Sequence, residues 1–296
     1  MLRSAAEEAA FTMPKHPKRR TRRNLAVLAL SALCLTGFLY WDNTALQVTR
    51  FDPVFSDLPA GFDGCRIVVL SDLHGASFGA HNADLLAAVA AEQPEYIFFL
   101  GDLEDKYRGP EDGYPAETAR GLSAIAPTYY VTGNHEWAVG GVPALKEILT
   151  ANGVTVLSNQ FVPLERNGDT IVLAGIDDPN GYADQKTPEE LAAEVYAACG
   201  DPFWMLLAHR NNRFSSQYSK LGADLVFSGH AHGGLIRLPF TDGLFSHDWD
   251  LFPSNTAGLY EENGSCQFVT RGLGNSGITF RLFNRPEVAM VTLHRA

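Results

Sequence analysis

Cysteine is scarce in this chain of 296 residues: there are four, and no two are spaced as a CxxC pair. That spacing rules out a zinc ribbon or a dithiol redox centre. Cys34 falls in an apolar run, which leaves Cys65, Cys199 and Cys266 as an odd set. A Cys65–Cys266 disulfide is open to an oxidising compartment, and small buried thiols are the favoured alternative. Glycine (27) and proline (16) are at ordinary levels and no internal repeat is found, so collagenous, solenoid and disordered readings fall away. The body also lacks any stripe of basic residues. Seven Lys or Arg against Glu7 and Glu8 give the first 23 residues a net +5, so the rest carries −16 of the total −11. An acidic body of that kind is a poor partner for nucleic acid. What remains is a chain 46% hydrophobic, enough for one large core.

Long hydrophobic runs are rare too, and the exception is informative. Asn24 to Trp41 carries no charge, and as a helix it would span about 27 Å, just enough for a bilayer core. Tyr40 and Trp41 stand where an interfacial anchor is expected, and six Lys or Arg between positions 15 and 23 predict a cytoplasmic N-terminus. The expected arrangement is a basic segment (1–23), a single-pass membrane anchor (24–41), a linker (42–62) and one extracytoplasmic domain (63–296). Thr21-Arg22-Arg23-Asn24-Leu25 also resembles a twin-arginine export signal. Cleavage near Asn43-Thr44-Ala45, giving a secreted or wall-associated protein, is the alternative. A buried core helix is disfavoured by the cations beside it.

From residue 65 onward short apolar runs alternate with amphipathic segments. Arg66–Leu70, Tyr96–Leu100, Thr128–Val131, Thr170–Ile176, Phe203–Leu207 and Leu225–Phe227 predict buried strands. Asn82–Ala91, Pro115–Ile125, Val142–Ala151 and Thr187–Ala198 predict helices, the last opened by Thr187-Pro188-Glu189-Glu190. The tail predicts strands only, at Gln267–Arg271, Gly277–Leu282 and Glu287–Leu293, closing a second sheet. The alternation implies an α/β fold with substantial parallel sheet.

The polar chemistry gathers where the strands end. Ser71-Asp72-Leu73-His74, Gly101-Asp102, Gly133-Asn134-His135-Glu136, His209 and Gly229-His230-Ala231-His232 each follow an apolar run. In layered α/β folds the carboxyl ends of strands share one rim, and ligands collect there. Asp72, His74, Asp102, Asn134, His209, His230 and His232 are all nitrogen or oxygen donors, a set suited to Mn, Fe, Zn, Co or Mg. Seven donors exceed what one ion needs. With one carboxylate shared they suit two divalent ions about 3.5–4 Å apart.

In this order the motifs resemble the signature of the calcineurin-like metallophosphoesterase superfamily: DxH, GDxxD, GNH[DE], H, GHxH. The resemblance runs from residue 65 to about 293. Gly233–Pro239, Arg271-Gly272-Leu273-Gly274, Arg281 and Asn284-Arg285-Pro286-Glu287 look like its membrane-associated phosphodiesterase branch, except that Leu235 stands where that branch often has Gln. The resemblance implies a four-layer αββα sandwich. It also implies one metal among Asp72, His74, Asp102 and His232, and a second among Asp102, Asn134, His209 and His230, with Asp102 bridging. His135 would stabilise developing charge or protonate the leaving oxygen, with orienting Asn134 as the alternative, and Asp105, which completes GDxxD, would be a supporting or structural acid and not a ligand. His81, Asn82, Arg237, Arg271 and Arg281 are weaker candidates for the pocket, and His16, His247 and His294 have no assigned role. The expected activity is hydrolysis of a phosphodiester or pyrophosphate outside the cytoplasm, on a lipid-, nucleotide- or wall-linked substrate, by a water activated between the ions. A phosphomonoesterase or protein phosphatase, or a catalytically silent binding protein, are the alternatives.

Overall fold

The computed structural model describes residues 17–107, 114–238, 240–246, 250–277 and 280–296, with side chains from residue 21. Arg3, Lys15, His16, His247 and the middle of the loop after Tyr107 lie outside the described residues. Two compact units result, up to Trp41 and from Asp42.

The first unit is helical. Helix α1 runs Pro17–Thr44. Its stretch Thr21–Thr44 is long and apolar enough to cross a membrane, with a mean hydropathy of 1.7, and it is exposed, unlike the core helix of a soluble domain.

The second unit contains, in chain order, β1 (Gln47–Phe51), β2 (Val54–Phe55), β3 (Cys65–Leu70), α2 (Ala83–Ala91), β4 (Tyr96–Phe99), α3 (Tyr114–Ser123), β5 (Thr128–Tyr130), α4 (Asn134–Val139), α5 (Val142–Ala151) and β6 (Val154–Val156). There follow β7 (Gln160–Arg166), β8 (Asp169–Gly175), α6 (Pro188–Cys199), β9 (Trp204–Arg210), β10 (Leu225–Gly229), β11 (Gly258–Glu262), β12 (Ser265–Val269) and β13 (Glu287–Arg295). The first sheet is ordered β1-β13-β3-β4-β5-β6, with β2 also on β13, and the second β11-β12-β10-β9-β8-β7. Strands β3 to β6 pair in parallel, as do β8, β9, β10 and β12.

Period-two alternation sorts the side chains into layers. Ile67, Val69 and Phe98 from the first sheet meet Leu173, Met205, Leu207 and Phe227 from the second in a central core. Val68, Leu70, Ile97 and Phe99 point the other way, onto Leu85 and Val89 of α2, Leu122 of α3, and Leu145 and Leu149 of α5. Val172, Trp204, Leu206 and Val226 pack on Leu191 and Val195 of α6. Two sheets face to face with a helix layer on each outer side make the αββα sandwich. Helix α6 starts as its sequence predicts, with Thr187 Oγ1 accepting from Glu190 N and Glu190 Oε2 accepting from Thr187 N.

Two sequence expectations are corrected. Residues 42–62 were expected as a linker, yet they contribute β1 and β2, which pair with β13. The tail was expected to close the second sheet, but only β11 and β12 do so. β13 instead enters the first sheet between β1 and β3, antiparallel to β3, because its alternate residues Ala289, Val291 and Leu293 fit the central core. Of Gly277–Leu282, the described residues hold no strand, only a bridge from Leu282 to Ile236.

Candidate metal centre

Each candidate donor stands on a turn, at a helix start or at a strand end along one rim. Asp72 and His74 follow β3, Asp102 follows β4, Asn134 and His135 open α4 after β5, and His230 and His232 follow β10. His209 was expected just beyond its strand and is instead the penultimate residue of β9. The backbone pays for this convergence. Asp72, His74, Asp102, His230 and His232 all have φ between 48° and 67°, in the left-handed region. Each such residue costs on the order of 1 kcal/mol or more, and strain of this kind collects where function over-determines geometry.

The turns brace one another. His74 N donates to Asp102 O at 3.0 Å, and Asp72 N donates to Gly101 O at 3.0 Å. His230 N donates to the Asp72 carboxylate at 3.1 Å, and His135 N to Asp102 Oδ1 at 2.8 Å. Space is tight enough that two glycines are required. A Cβ at Gly229 would meet Ser71 and, at 2.8 Å, Asp72 Oδ2, and one at Gly133 would strike the Asp102 carboxylate.

The result is two donor clusters with the Asp102 carboxylate close to histidines of both. In each of the triads Asp72–His74–His232 and Asp102–His209–His230, the donor atoms lie within 4.8 Å of one another. His74 Nε2 and His232 Nε2 face each other at 3.1 Å, as do His230 Nδ1 and His209 Nε2 at 3.2 Å. Asn134 Oδ1 is 3.1 Å from His209 Nε2, which adds a neutral oxygen to the second cluster. Asp102 Oδ2 lies between them, 3.7 Å from His74 Nε2 and 3.3 Å from His209 Nε2. The His209 Nδ1–H donates to Leu100 O at 2.7 Å, aiming Nε2 into the site. His135 also forms a tight group with His74 and Asp102, so proximity alone would allow it as a donor.

The electrostatics ask for positive charge. Burial pushes Asp72 up to about 6. Burial acts the same way on Asp102, but His209 beside it overrides this and holds the carboxyl well below its usual range. Burial should likewise keep His209 neutral, yet Asp102 and Asp72 drive it up to about 10. Burial takes His74 down to about 4. Two sequestered carboxylates among imidazoles therefore stabilise any cation that enters, and oxygen and nitrogen donors with no thiolate fit a divalent ion.

The remaining candidates sort clearly. Asp105 is buried with Oδ1 3.2 Å from His135 Nδ1. His81 is exposed and paired with Glu117, and Asn82 is spent on Phe78 N and Thr118. Arg271 pairs with buried Glu287 at 2.8 Å, and Arg237 holds the carbonyls of Gly233 and Asp242. Arg281 is wholly buried, so it faces no solvent-borne phosphate; its Nη2 lies 3.3 Å from His232 Nδ1 and donates to Gly274 O at 2.7 Å. His294 sits at the surface near Asp52 and Asp63, away from the cluster. Cys65 and Cys266 are buried free thiols, which burial pushes up to about 12, and Cys199 is exposed.

One contributor had no role in the sequence reading. Glu136 is fully buried and accepts from Asp102 N at 3.0 Å, Gly133 N at 2.7 Å and Glu104 N at 3.2 Å. It thereby ties the turn carrying Asn134 to the turn carrying Asp102. Burial, then the charge of Asp102, pushes it up to about 7. Its place in the first turn of a helix was the available signal.

Residues 65–234 match the model of the calcineurin-like phosphoesterase family, and the chain belongs to that family. It is a metal-dependent phosphoesterase. The chain is 28% identical over 280 residues to an uncharacterised metallophosphoesterase of Bacillus subtilis, YkuE, covering 91% of this chain and 93% of that one. It is 30% identical over 286 residues to a "transmembrane protein with metallophosphoesterase domain" of Danio rerio, where 92% of this chain spans 62% of the relative. The NAD nucleotidase of Haemophilus influenzae shares the fold with a TM-score of 0.50 and 17% identity, covering 69% of this chain and 49% of that one.

Proposed function

We propose that the chain is a membrane-tethered phosphodiesterase or pyrophosphatase with a dinuclear centre that works outside the cytoplasm. The observation that carries the dinuclear reading is the position of Asp102, one carboxylate oxygen facing the histidines of both clusters. Asp72, His74 and His232 would hold one ion, Asn134, His209 and His230 the other, with Asp102 common to both. Two divalent ions held there would activate a shared water and neutralise charge on the phosphate oxygens.

The chain's own groups supply the rest. His135 faces the site between His74 and Tyr107, with ring centroids 4.5 and 6.2 Å away. Burial lowers its pKa, while Asp102 and Asp105 act in the opposite direction. The Lys106 N–H donates to His135 Nδ1 at 3.2 Å, with the Asp105 carboxylate beside it, which steadies the ring and leaves Nε2 to pass a proton to the departing oxygen. Glu136 and Leu100 O keep the donors aimed.

The tether rests on the apolar stretch of α1 and on relatives named as transmembrane proteins. An uncleaved anchor is favoured by Asn43, whose Nδ2 donates to Arg281 O at 2.9 Å and whose Oδ1 accepts from Arg281 N at 2.7 Å. Cleavage after Ala45 would remove both bonds. The cations before the helix favour a body outside the cytoplasm, and Arg22-Arg23 are suited to twin-arginine export.

The test is hydrolysis of bis(p-nitrophenyl) phosphate against p-nitrophenyl phosphate by Mn-loaded full-length protein. The diester should be preferred. A strong preference for the monoester would move the assignment to a phosphomonoesterase. Turnover of neither ester, with Asp102→Ala behaving the same, would favour a silent binding protein.

A further inference from the structure

Six large apolar side chains crowd one loop cluster at the surface of the body. Phe240 is fully exposed, Leu251, Phe252, Phe280 and Phe283 each keep more than half their surface in solvent, and Leu238 is 39% exposed. Backbone hydrogen bonds bring these segments together: Arg237 N to Leu282 O, Leu244 N to Ile236 O, and Phe252 N to Leu244 O. Phe240 and Phe283 flank an open groove of about 440 Å³ that Arg237, Leu238 and Thr241 complete. Elsewhere on the body, exposed large apolar residues such as Val54, Ile148 and Tyr182 stand singly on separate elements. Scattered exposure is ordinary, whereas a contiguous patch marks an interaction surface.

The partner follows from what the patch is stitched to. Asn43 is bonded to both backbone groups of Arg281 and to Asn275, and Asn284 N reaches Asp42 Oδ2 at 3.5 Å. Asp42 is covalently joined to Trp41, the last residue of the apolar run. If that run spans a bilayer, as proposed above, Asp42 and Asn43 are held at its surface, and so is the segment bearing Phe280 and Phe283. We infer that this patch is a docking face for the phospholipid bilayer, its aromatic and leucine side chains entering the interfacial layer. Phenylalanine and leucine partition there through apolar area. The three arginines in these segments are engaged internally, Arg237 with Gly233 and Asp242, Arg281 with Arg271 and Gly274, Arg285 with Ala45 and Leu46. Docking therefore does not depend on anionic lipid.

The same segment touches the metal centre. Asn284 Nδ2 donates to His232 O at 2.7 Å, and Arg281 lies against the His232 ring. Docking would hold the site at headgroup height, where the ester phosphate of a membrane-embedded substrate lies.

The inference rests on the anchor reading, and one experiment separates the two. Benzoylphenylalanine is placed singly at Leu33, Tyr182, Phe240 and Phe283 of the full-length protein. Each variant is reconstituted in phosphatidylcholine vesicles containing labelled lipid and irradiated. Lipid adducts at 240 and 283 should match those at 33 and exceed those at 182 by about tenfold or more. Adding phosphatidylglycerol should change the yield at 240 and 283 by less than about twofold. Adducts at 33 with none at 240 or 283 would overturn the docking face and leave the anchor standing. No adduct at 33 would overturn the anchor and the inference with it. Chain-to-chain crosslinks at 240 or 283 in place of lipid adducts would make the patch an interface between copies.

Discussion

The two sheets build the candidate metal centre from different materials. The first supplies both carboxylates, the amide of Asn134, and His74 and His135, on short turns braced by Glu136. The second supplies imidazoles alone: His209, His230 and His232. The first half therefore supplies both acidic groups, and the second completes the donor set with imidazoles. His209 joins the two, because its Nδ1 is fixed on Leu100 O of the first sheet while its Nε2 faces Asp102. Neither sheet alone holds either donor cluster, so the sandwich must be assembled before the site exists.

Four substitutions probe this division, in falling order of effect. Asp102→Ala removes the carboxylate common to both clusters, and diester hydrolysis should drop at least about 1,000-fold with loss of both ions. Retention of either ion in metal analysis would show that Asp102 is not shared. His209→Ala removes one imidazole of the second half alone. It should release one equivalent of metal, keep the other, and lower turnover by about 100-fold or more; release of both equivalents would mean that the halves do not load separately. His135→Ala should lower kcat by about 100-fold while leaving metal content intact. Metal loss there would make His135 a ligand. Glu136→Gln keeps the shape but turns an amide nitrogen toward backbone N–H donors, and activity should fall about tenfold through weakened metal affinity. Unchanged metal titration would relegate Glu136 to packing.

Much of this was legible beforehand, for a physical reason. Strands buried on both faces, such as Cys65–Leu70 and Leu225–Gly229, must be almost wholly apolar, so they stand out, and the polar residues ending them stand out too. Helix α6 announced its start through Thr187 and Glu190. The pairing partners were not legible. Gln47–Phe51 is only half-buried and mixes Gln, Thr and Arg, so it reads as linker until β13 lies beside it. β13 itself has an apolar face that would suit either sheet. The left-handed turns were hidden as well, since Asp and His at such positions carry none of glycine's signal. Burial of Arg281 depends on contacts from three separated segments, around Asn43, His232 and Arg271–Asn275, which no local pattern records.

The most direct measurement is an anomalous-scattering map of crystals of the Mn-loaded protein. The account predicts two peaks about 3.5–4 Å apart, one beside Asp72, His74 and His232, the other beside Asn134, His209 and His230, with an Asp102 oxygen reaching both. A single peak, or peaks away from these side chains, would contradict it.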